Sequence, residues 1–372
     1  MKTRFPMVPF RELLLNRRRV LEETAARGTK IVGYFCTYTP IEVIHACGML
    51  PVRIWGGSGQ AEKAYNLVPT FICPYMRLVM EKALGGEFTF LSGIVQGYTC
   101  DVACGMVNVW KGNIPGELYH SLPLPYNDSP ESRAFLKAGL DETIEKLTAI
   151  GGVYSEESLG RSNELYGKIR GMLAALYERR MQGALELCAA DLNVVMQAFF
   201  TIPPELFLSM LERLTGDLSA AVPGVRTGLP VLVSGGIVED EGVMTLVEDL
   251  GFSVVADDLC TGLRAFIPVS GPDASPMDRL IARTMMRFPC PSRSRPPQRI
   301  PLLMDLVRTS GAKGVIFLLQ KFCTPHLADH PMVARALRDA GIPSILIEMD
   351  GDNGLEGQAV TRLETFAGML EA

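Results

Sequence analysis

The stretch Phe90-Leu-Ser-Gly-Ile-Val-Gln-Gly-Tyr-Thr-Cys100-Asp-Val-Ala-Cys104-Gly, running on to Trp110-Lys111, decides the fold. An apolar run ends in Ile94 and Val95, passes through Gln96-Gly97-Tyr98-Thr99 and meets Cys100-Asp101. From there Val102, Met106, Val107 and Trp110 recur at helical spacing. A buried strand that breaks at a glycine and opens a helix is the ligand-presenting corner of an α/β sheet. A helix N-terminus favours anions and lowers the pKa of a nearby thiol. Cys100 therefore has two readings: a small apolar residue at the top of a strand, or a thiolate of the kind an iron–sulfur cluster takes.

The same grammar extends upstream. Residues 1–28 read as a helical lead-in, with Leu13, Leu14, Leu15, Val20 and Leu21 among basic residues. Lys30 to Cys36 is a strand, and Thr39-Pro40 starts a helix, where a first-turn proline loses no hydrogen bond. Gly48 stops that helix, Leu50 to Ile54 is a second strand, and Cys73-Pro74 opens another helix. Leu118 to Leu124 closes the unit, which places Cys36, Cys73 and Cys100 at strand ends or helix starts. Residues 130–220 carry helical spacing without strand signals, and Cys188, between Leu187 and Ala189, reads as core.

A second α/β unit starts at Leu229-Pro-Val-Leu-Val-Ser-Gly235. A helix from Glu241 to Leu250, a strand from Phe252 to Ala256, and the run Asp257-Asp258-Leu259-Cys260 follow. Residues 287–299 read as a basic, proline-rich loop holding Cys290 among Arg287, Arg293, Arg295 and Arg299. A helix from Leu302 to Val307 leads to the strand Gly314 to Leu319, then Cys323-Thr-Pro325-His326 and a last strand, Ile345 to Ile347. The expected fold is α/β: two Rossmann- or flavodoxin-like parallel-sheet domains, at 1–130 and 222–372, with a helical segment at 131–221. Laid over each other, the two units put Cys100 and Cys323 in the same place, just past a buried strand. Facing corners of this kind would deliver thiolates to one cluster across a cleft.

Composition narrows the classes. The chain has 372 residues, 48% hydrophobic and 21% charged, which suits two or three globular domains. A net charge of −5 argues against nucleic acid as the main partner. No stretch approaches a membrane span and no signal-peptide core stands out, so a cytoplasmic location is expected. Nine cysteines in that compartment are core filler, metal ligands or redox groups rather than disulfides.

Taken in order, the motifs resemble a known family. Gly33-Tyr34-Phe35-Cys36, Pro40 and Glu42, then Ala46-Cys47-Gly48-Met49-Leu50-Pro51-Val52-Arg53, are similar to the N-terminal signature of the 2-hydroxyacyl-CoA dehydratase and benzoyl-CoA reductase subunit family. Cys73-Pro-Tyr-Met-Arg77, Cys100-Asp101, Asp257-Asp258 with Cys260 and Arg264, Lys321-Phe322-Cys323 with Pro325, Glu348 with Asp350, and the tail from Gly357 to Phe366 match in sequence. The resemblance spans about residues 30–370. It implies an oxygen-sensitive, anaerobic enzyme with a 4Fe–4S cluster held by Cys73, Cys100 and Cys323. It also implies a related second subunit (a heterodimer, or a homodimer) and an ATP-dependent iron–sulfur activator. The implied chemistry is one-electron reduction of an acyl-CoA thioester to a ketyl radical, for dehydration or ring reduction.

The resemblance bears on other positions too. Thr37 would hold the thioester oxygen and Glu42 would handle a proton, while Glu42 as a helix-start carboxylate is the structural alternative. Arg293 and Arg295 would meet CoA phosphates, against a solvated or partner-docking loop. Cys36, Cys104 and Cys260 form a second tier; with the first three they number six thiols, as in the family's double-cubane branch, although the single cluster is the favoured reading. Cys47, His45 and His326 read as structural. The competing functions are a catalytic subunit, an electron-relay subunit and a cluster-free small-molecule-binding protein.

Overall fold

The computed structural model describes residues 7–185, 187–220, 227–266, 275–287, 289–293, 296–350 and 357–371. The first unit runs α1 (Val8–Leu15), α2 (Arg17–Ala26), β1 (Ile31–Tyr34), α3 (Ile41–Ala46), β2 (Leu50–Arg53), α4 (Pro74–Leu84), β3 (Leu91–Gly97), α5 (Asp101–Asn113) and β4 (Leu118–Leu122). Helices α6 (Pro130–Ala149), α7 (Glu156–Met181), α8 (Ala189–Thr201) and α9 (Pro204–Ala220) follow. The second unit runs β5 (Leu229–Gly235), α10 (Glu241–Asp249), β6 (Phe252–Asp258), α11 (Leu263–Phe266), α12 (Pro276–Met285), α13 (Pro296–Ser310), β7 (Gly314–Gln320), α14 (Thr324–Asp339), β8 (Ser344–Met349) and α15 (Gly357–Glu371).

Each unit holds a four-stranded, wholly parallel sheet, ordered β2-β1-β3-β4 in one and β6-β5-β7-β8 in the other. This is the expected α/β fold with two parallel sheets. The strands are apolar because helices cover them: all four residues of β1 are buried, as are Val231–Gly235 and Gly314–Leu319. Gly93 lets β3 approach β4, since a Cβ there would lie 2.1 Å from the Leu118 carbonyl oxygen. In a 2-1-3-4 order the strand connections diverge between the first and third strands, and ligands bind outside the carboxyl ends at that switch point. Cys36 follows β1 and Cys100 follows β3; Gly236 follows β5 and Cys323 follows β7.

The helical middle ties the units together. Phe10, Tyr34, Tyr166, Phe199, Phe207 and Phe266 share one core, so α1 packs with the middle helices. Arg53, at the end of β2, pairs with Glu239 beyond β5 at 2.6 Å, and Glu239 also accepts from the Gly56 and Gly57 amides. Met277, Leu280, Ile281 and Cys290 lie in the sequence of the second unit, yet their side chains join the core under β1 and α3.

Two local expectations are corrected. The stretch 287–299 is not loop throughout, because α13 starts at Pro296 and carries Arg299. Prolines weigh against a helix in a sequence, but at the first helical positions they remove only amides that have no intrahelical acceptor. Cys188 is not fully buried core: it packs half-buried against the core of the second unit as the N-cap of α8, and its Sγ accepts from the Asp191 amide at 3.4 Å. Serine is a preferred N-cap residue. Cys188→Ser should therefore leave the thermal midpoint unchanged or slightly raised; a fall of more than a few degrees would contradict the cap assignment.

Candidate functional site at the carboxyl edges of the sheets

The cysteine corners are built by helix starts. Cys73 is the N-cap of α4, Cys100 of α5 and Cys323 of α14. The Cys100 Sγ accepts from the Ala103 amide at 3.4 Å. Cys73 and Cys323 make no side-chain cap bond, but all three residues stand at the positive end of a helix dipole. A polar clamp sets the first corner: the buried Gln96 Oε1 accepts from the amides of Phe35 and Cys36 at 2.9 and 3.1 Å, joining the ends of β1 and β3. In the second unit Gln320 Nε2 reaches the Ile237 carbonyl at 3.0 Å and joins the ends of β7 and β5.

The corners come from different units and meet. Asp350 accepts from Arg77, four residues past Cys73, at 3.1 Å and from Lys321, two before Cys323, at 2.9 Å. Cys100 lies close enough to Cys73, Cys36 and Cys323 for their charges to disfavour its own, and Cys323 is affected in the same way by Cys73 and Cys290. Burial is the larger influence; it pushes Cys323 up to about 12 and Cys100 well above the usual thiol value. Phe322 holds the left-handed backbone at φ 60°, a strained conformation for a bulky residue, next to Cys323.

A second group lies beside the first. Cys260 hydrogen-bonds Cys290, which also contacts Ser292 Oγ at 3.2 Å, and Cys36 interacts electrostatically with Cys290. The Cys260 hydrogen bond, opposed by burial and assisted by Arg264 and Ser292, favours the thiolate at Cys290. Arg264 sits beneath the pair, 3.5 Å from Cys260 Sγ and 3.4 Å from His326 Nε2. It is held by Asp258 at 2.6 Å, and Asp258 also accepts from Arg299 at 2.8 Å and Ser234 at 2.9 Å. His326 is buried here, its pKa driven well down by burial and then by Arg264 and Arg299. Cys104, one turn after Cys100, is buried and raised to about 11 by burial. Cys47 is core, and His45 bridges Ser162 and Glu205.

The remaining sequence candidates separate. Thr37 is buried, its Oγ1 has no hydrogen-bond partner among the described residues, and its carbonyl accepts from Arg287. Glu42 is 1% exposed and contacts Arg170 at 2.6 Å and Arg283 at 3.0 Å. Burial would raise this carboxyl, but Arg170, Arg283 and Arg287 outweigh burial and bring it to about 2. It is therefore ionised at neutral pH and carries no proton to donate. Arg293 is buried across the carbonyls of Tyr98, Leu124 and Pro125 and stacks on Tyr126 at 3.9 Å, which commits its guanidinium to the fold. Arg295 lies outside the described residues.

Because the pKa of Glu42 is depressed in the folded state, its stabilising effect is full above the ordinary carboxyl value of 4.5 and is lost as pH falls toward 2. The shift corresponds to about 3 kcal/mol. The stability difference between wild type and Glu42→Gln should shrink as pH drops from 5 to about 2; a gap constant over that window in denaturant titrations would contradict this.

Two features escape the sequence. Cys290 reads there as part of a basic loop, although Cys290-Pro291 repeats the Cys73-Pro74 pairing that marks another corner. The arginines around Glu42 give no local signal, because Arg170 and Arg283 lie far from it in sequence.

Fold and site together define a two-unit parallel-sheet protein whose cysteines gather where the strand ends of both sheets meet. The chain belongs to the family described as 2-hydroxyglutaryl-CoA dehydratase, D-component, which matches residues 36–370; it is of the dehydratase or reductase type of enzyme. It is 28% identical over 371 residues to the (R)-phenyllactyl-CoA dehydratase beta subunit of Clostridium sporogenes, with 97% of each chain covered. It is 25% identical to the lactoyl-CoA dehydratase subunit beta of Anaerotignum propionicum, covering 97% of both. It is also 25% identical to a benzoyl-CoA reductase subunit of Thauera aromatica, covering 94% of this chain and 95% of that one. Among the described residues, no helix is long and apolar enough to cross a membrane.

Proposed function

We propose that this chain is the iron–sulfur subunit of an acyl-CoA dehydratase or aryl-CoA reductase, holding a 4Fe–4S cluster through Cys73, Cys100 and Cys323. The observation that carries the reading is that these three cysteines, from two units, each occupy a helix N-cap position, with Cys73 and Cys323 within electrostatic reach of Cys100. The donor chemistry fits. Buried thiols that repel one another's charge cannot ionise together without a cation, and an iron–sulfur centre takes them as thiolates. No group of three His, Cys, Asp or Glu among the described residues closes on a single metal ion. In a cubane each thiolate binds its own iron, so the ligands stand further apart than around one ion.

When bound, such a cluster supplies a single electron at low potential to a CoA thioester. The protein's own part is orientation and exclusion of water. Thr37 Oγ1, buried without a partner, is suited to donate to a substrate oxygen, because an unsatisfied buried hydroxyl is otherwise costly. Glu42 acts in this reading by fixing arginines rather than by moving a proton. The relatives are named as subunits, which supports assembly with a related chain, as a heterodimer or a homodimer. An ATP-dependent activator as electron donor and a cytoplasmic, anaerobic setting belong to the same reading.

One observation favours a second reading. Cys260 and Cys290 touch, and Cys36 lies near them, which makes a second thiol group beside the first. A double-cubane arrangement would then draw on Cys36, Cys260 and Cys290, with Cys104 left as core.

Thr37→Val tests whether substrate binds in this chain. The fold should hold, since valine removes only an unpaired hydroxyl. Iron per chain should stay at the wild-type level while acyl-CoA turnover, assayed with the partner subunit and activator, falls at least about tenfold. Unchanged turnover would assign this chain an electron-relay role instead.

A further inference from the structure

We propose that the cavity between α3, α7 and α12 is a binding site for a phosphate-type dianion. It measures about 250 Å³ and is lined by Glu42, Arg170, Arg279 and Arg283. Arg170 and Arg283 both turn to the same oxygen of Glu42, Oε1, at 2.6 and 3.0 Å. Arg287 lies close enough to act on Glu42 and Arg170 electrostatically, while its Nη1 donates to the Thr37 carbonyl. One buried carboxylate therefore answers three guanidinium groups, and Arg279 adds a fourth on the cavity wall. The other acid on the lining, Glu164, is exposed at the rim, and Asn163 beside it is engaged with the Pro276 carbonyl at 2.8 Å.

The arginines are incompletely paired within the fold. The Nε atoms of Arg170, Arg279 and Arg283 are buried and have no hydrogen-bond partner among the described residues. Arg170 is only 3% exposed. Burial, then repulsion from Arg170 and Arg287, drives the Arg283 pKa well down despite Glu42, the mark of excess positive charge. Unpaired buried guanidinium groups are costly unless an anion joins them. A carboxylate ligand, with one charge, would leave most of that excess in place. A phosphate dianion offers two charges and several acceptor oxygens to forked donors, which is the geometry arginine recognises. The volume suits a small anion, or the phosphate end of a larger molecule whose remainder lies outside. This inference does not depend on a bound cluster.

The test is calorimetry on the full chain with two probes, inorganic phosphate and adenosine 3′,5′-bisphosphate, the latter standing for the nucleotide end of a CoA thioester. Wild type should bind at least one of them at a single site and melt at a higher temperature in its presence. Arg283→Gln and Arg279→Gln should each weaken that binding at least about tenfold. Arg338→Gln, on an exposed part of α14, should bind as wild type does. If Arg283→Gln fails to fold, Arg279→Gln decides, since Arg279 forms no ion pair among the described residues. Tighter binding of the bisphosphate assigns the site to a nucleotide ligand; equal or weaker binding assigns it to free phosphate. Absence of binding of both probes at millimolar concentration, or wild-type affinity in Arg279→Gln, would overturn the proposal.

Discussion

Cys100→Ser should give a folded chain that has lost most of its iron. The fold survives because the core of the first unit is built from Ile31, Val52, Ile54, Val79, Ile94 and Trp110, all 4% exposed or less. The thiol contributes little burial to that core. Serine also caps α5 at least as well as cysteine, through the same hydrogen bond to the Ala103 amide. What serine lacks is the thiolate, and a hydroxyl does not ionise at working pH. Cys188→Ser is the matched control, being also an N-cap with its Sγ 3.4 Å from an amide but without the neighbouring cysteine corners. It should keep wild-type iron. Iron per chain and circular dichroism on the two variants, purified without oxygen, separate loss of a ligand from loss of fold.

Asp258→Ala should cost about 3–5 kcal/mol, the range for breaking a buried charge pair from one side. Asp258 is fully buried and neutralises Arg264 and Arg299 together. Without it Arg264 has no carboxylate among the described residues, where that guanidinium otherwise meets Cys260, His326 and the Asp258 carbonyl. Arg299 keeps Asp329. The loss should appear as a drop in the midpoint of chemical denaturation; a change below about 1 kcal/mol would mean that water or Asp329 takes over. Arg264 also touches the second thiol group, so this variant would disturb Cys260 and Cys290 while leaving Cys100 where it is.

The sheets are legible because each strand is a short apolar run closed by a turn residue and followed by helical spacing, as at Ile94-Val95 and Gly97. Parallel pairing and equivalent corners at Cys100 and Cys323 follow from that repeat. Cys290 is not legible as a corner because its place depends on a crossover: α12 belongs to the second unit in sequence and packs into the core of the first. The helix at Pro296 and the cap at Cys188 are hidden by residue type, proline suggesting a breaker and cysteine among alanines suggesting core. The surroundings of Glu42 and Arg293 are illegible for another reason. Ion pairs and carbonyl contacts between residues more than a hundred positions apart leave no local pattern. A charged residue near a corner then looks free to bind substrate, whereas both of these are committed within the fold.

Iron and acid-labile sulfide per chain, determined on protein purified and handled without oxygen, bear most directly on the claim that the meeting cysteines hold a cluster. The single-cluster account predicts about four iron and four sulfide per chain, dropping sharply in Cys73→Ser, Cys100→Ser and Cys323→Ser alike. Protein that carries no iron after anaerobic purification and reconstitution, or iron that persists in all three variants, would contradict it.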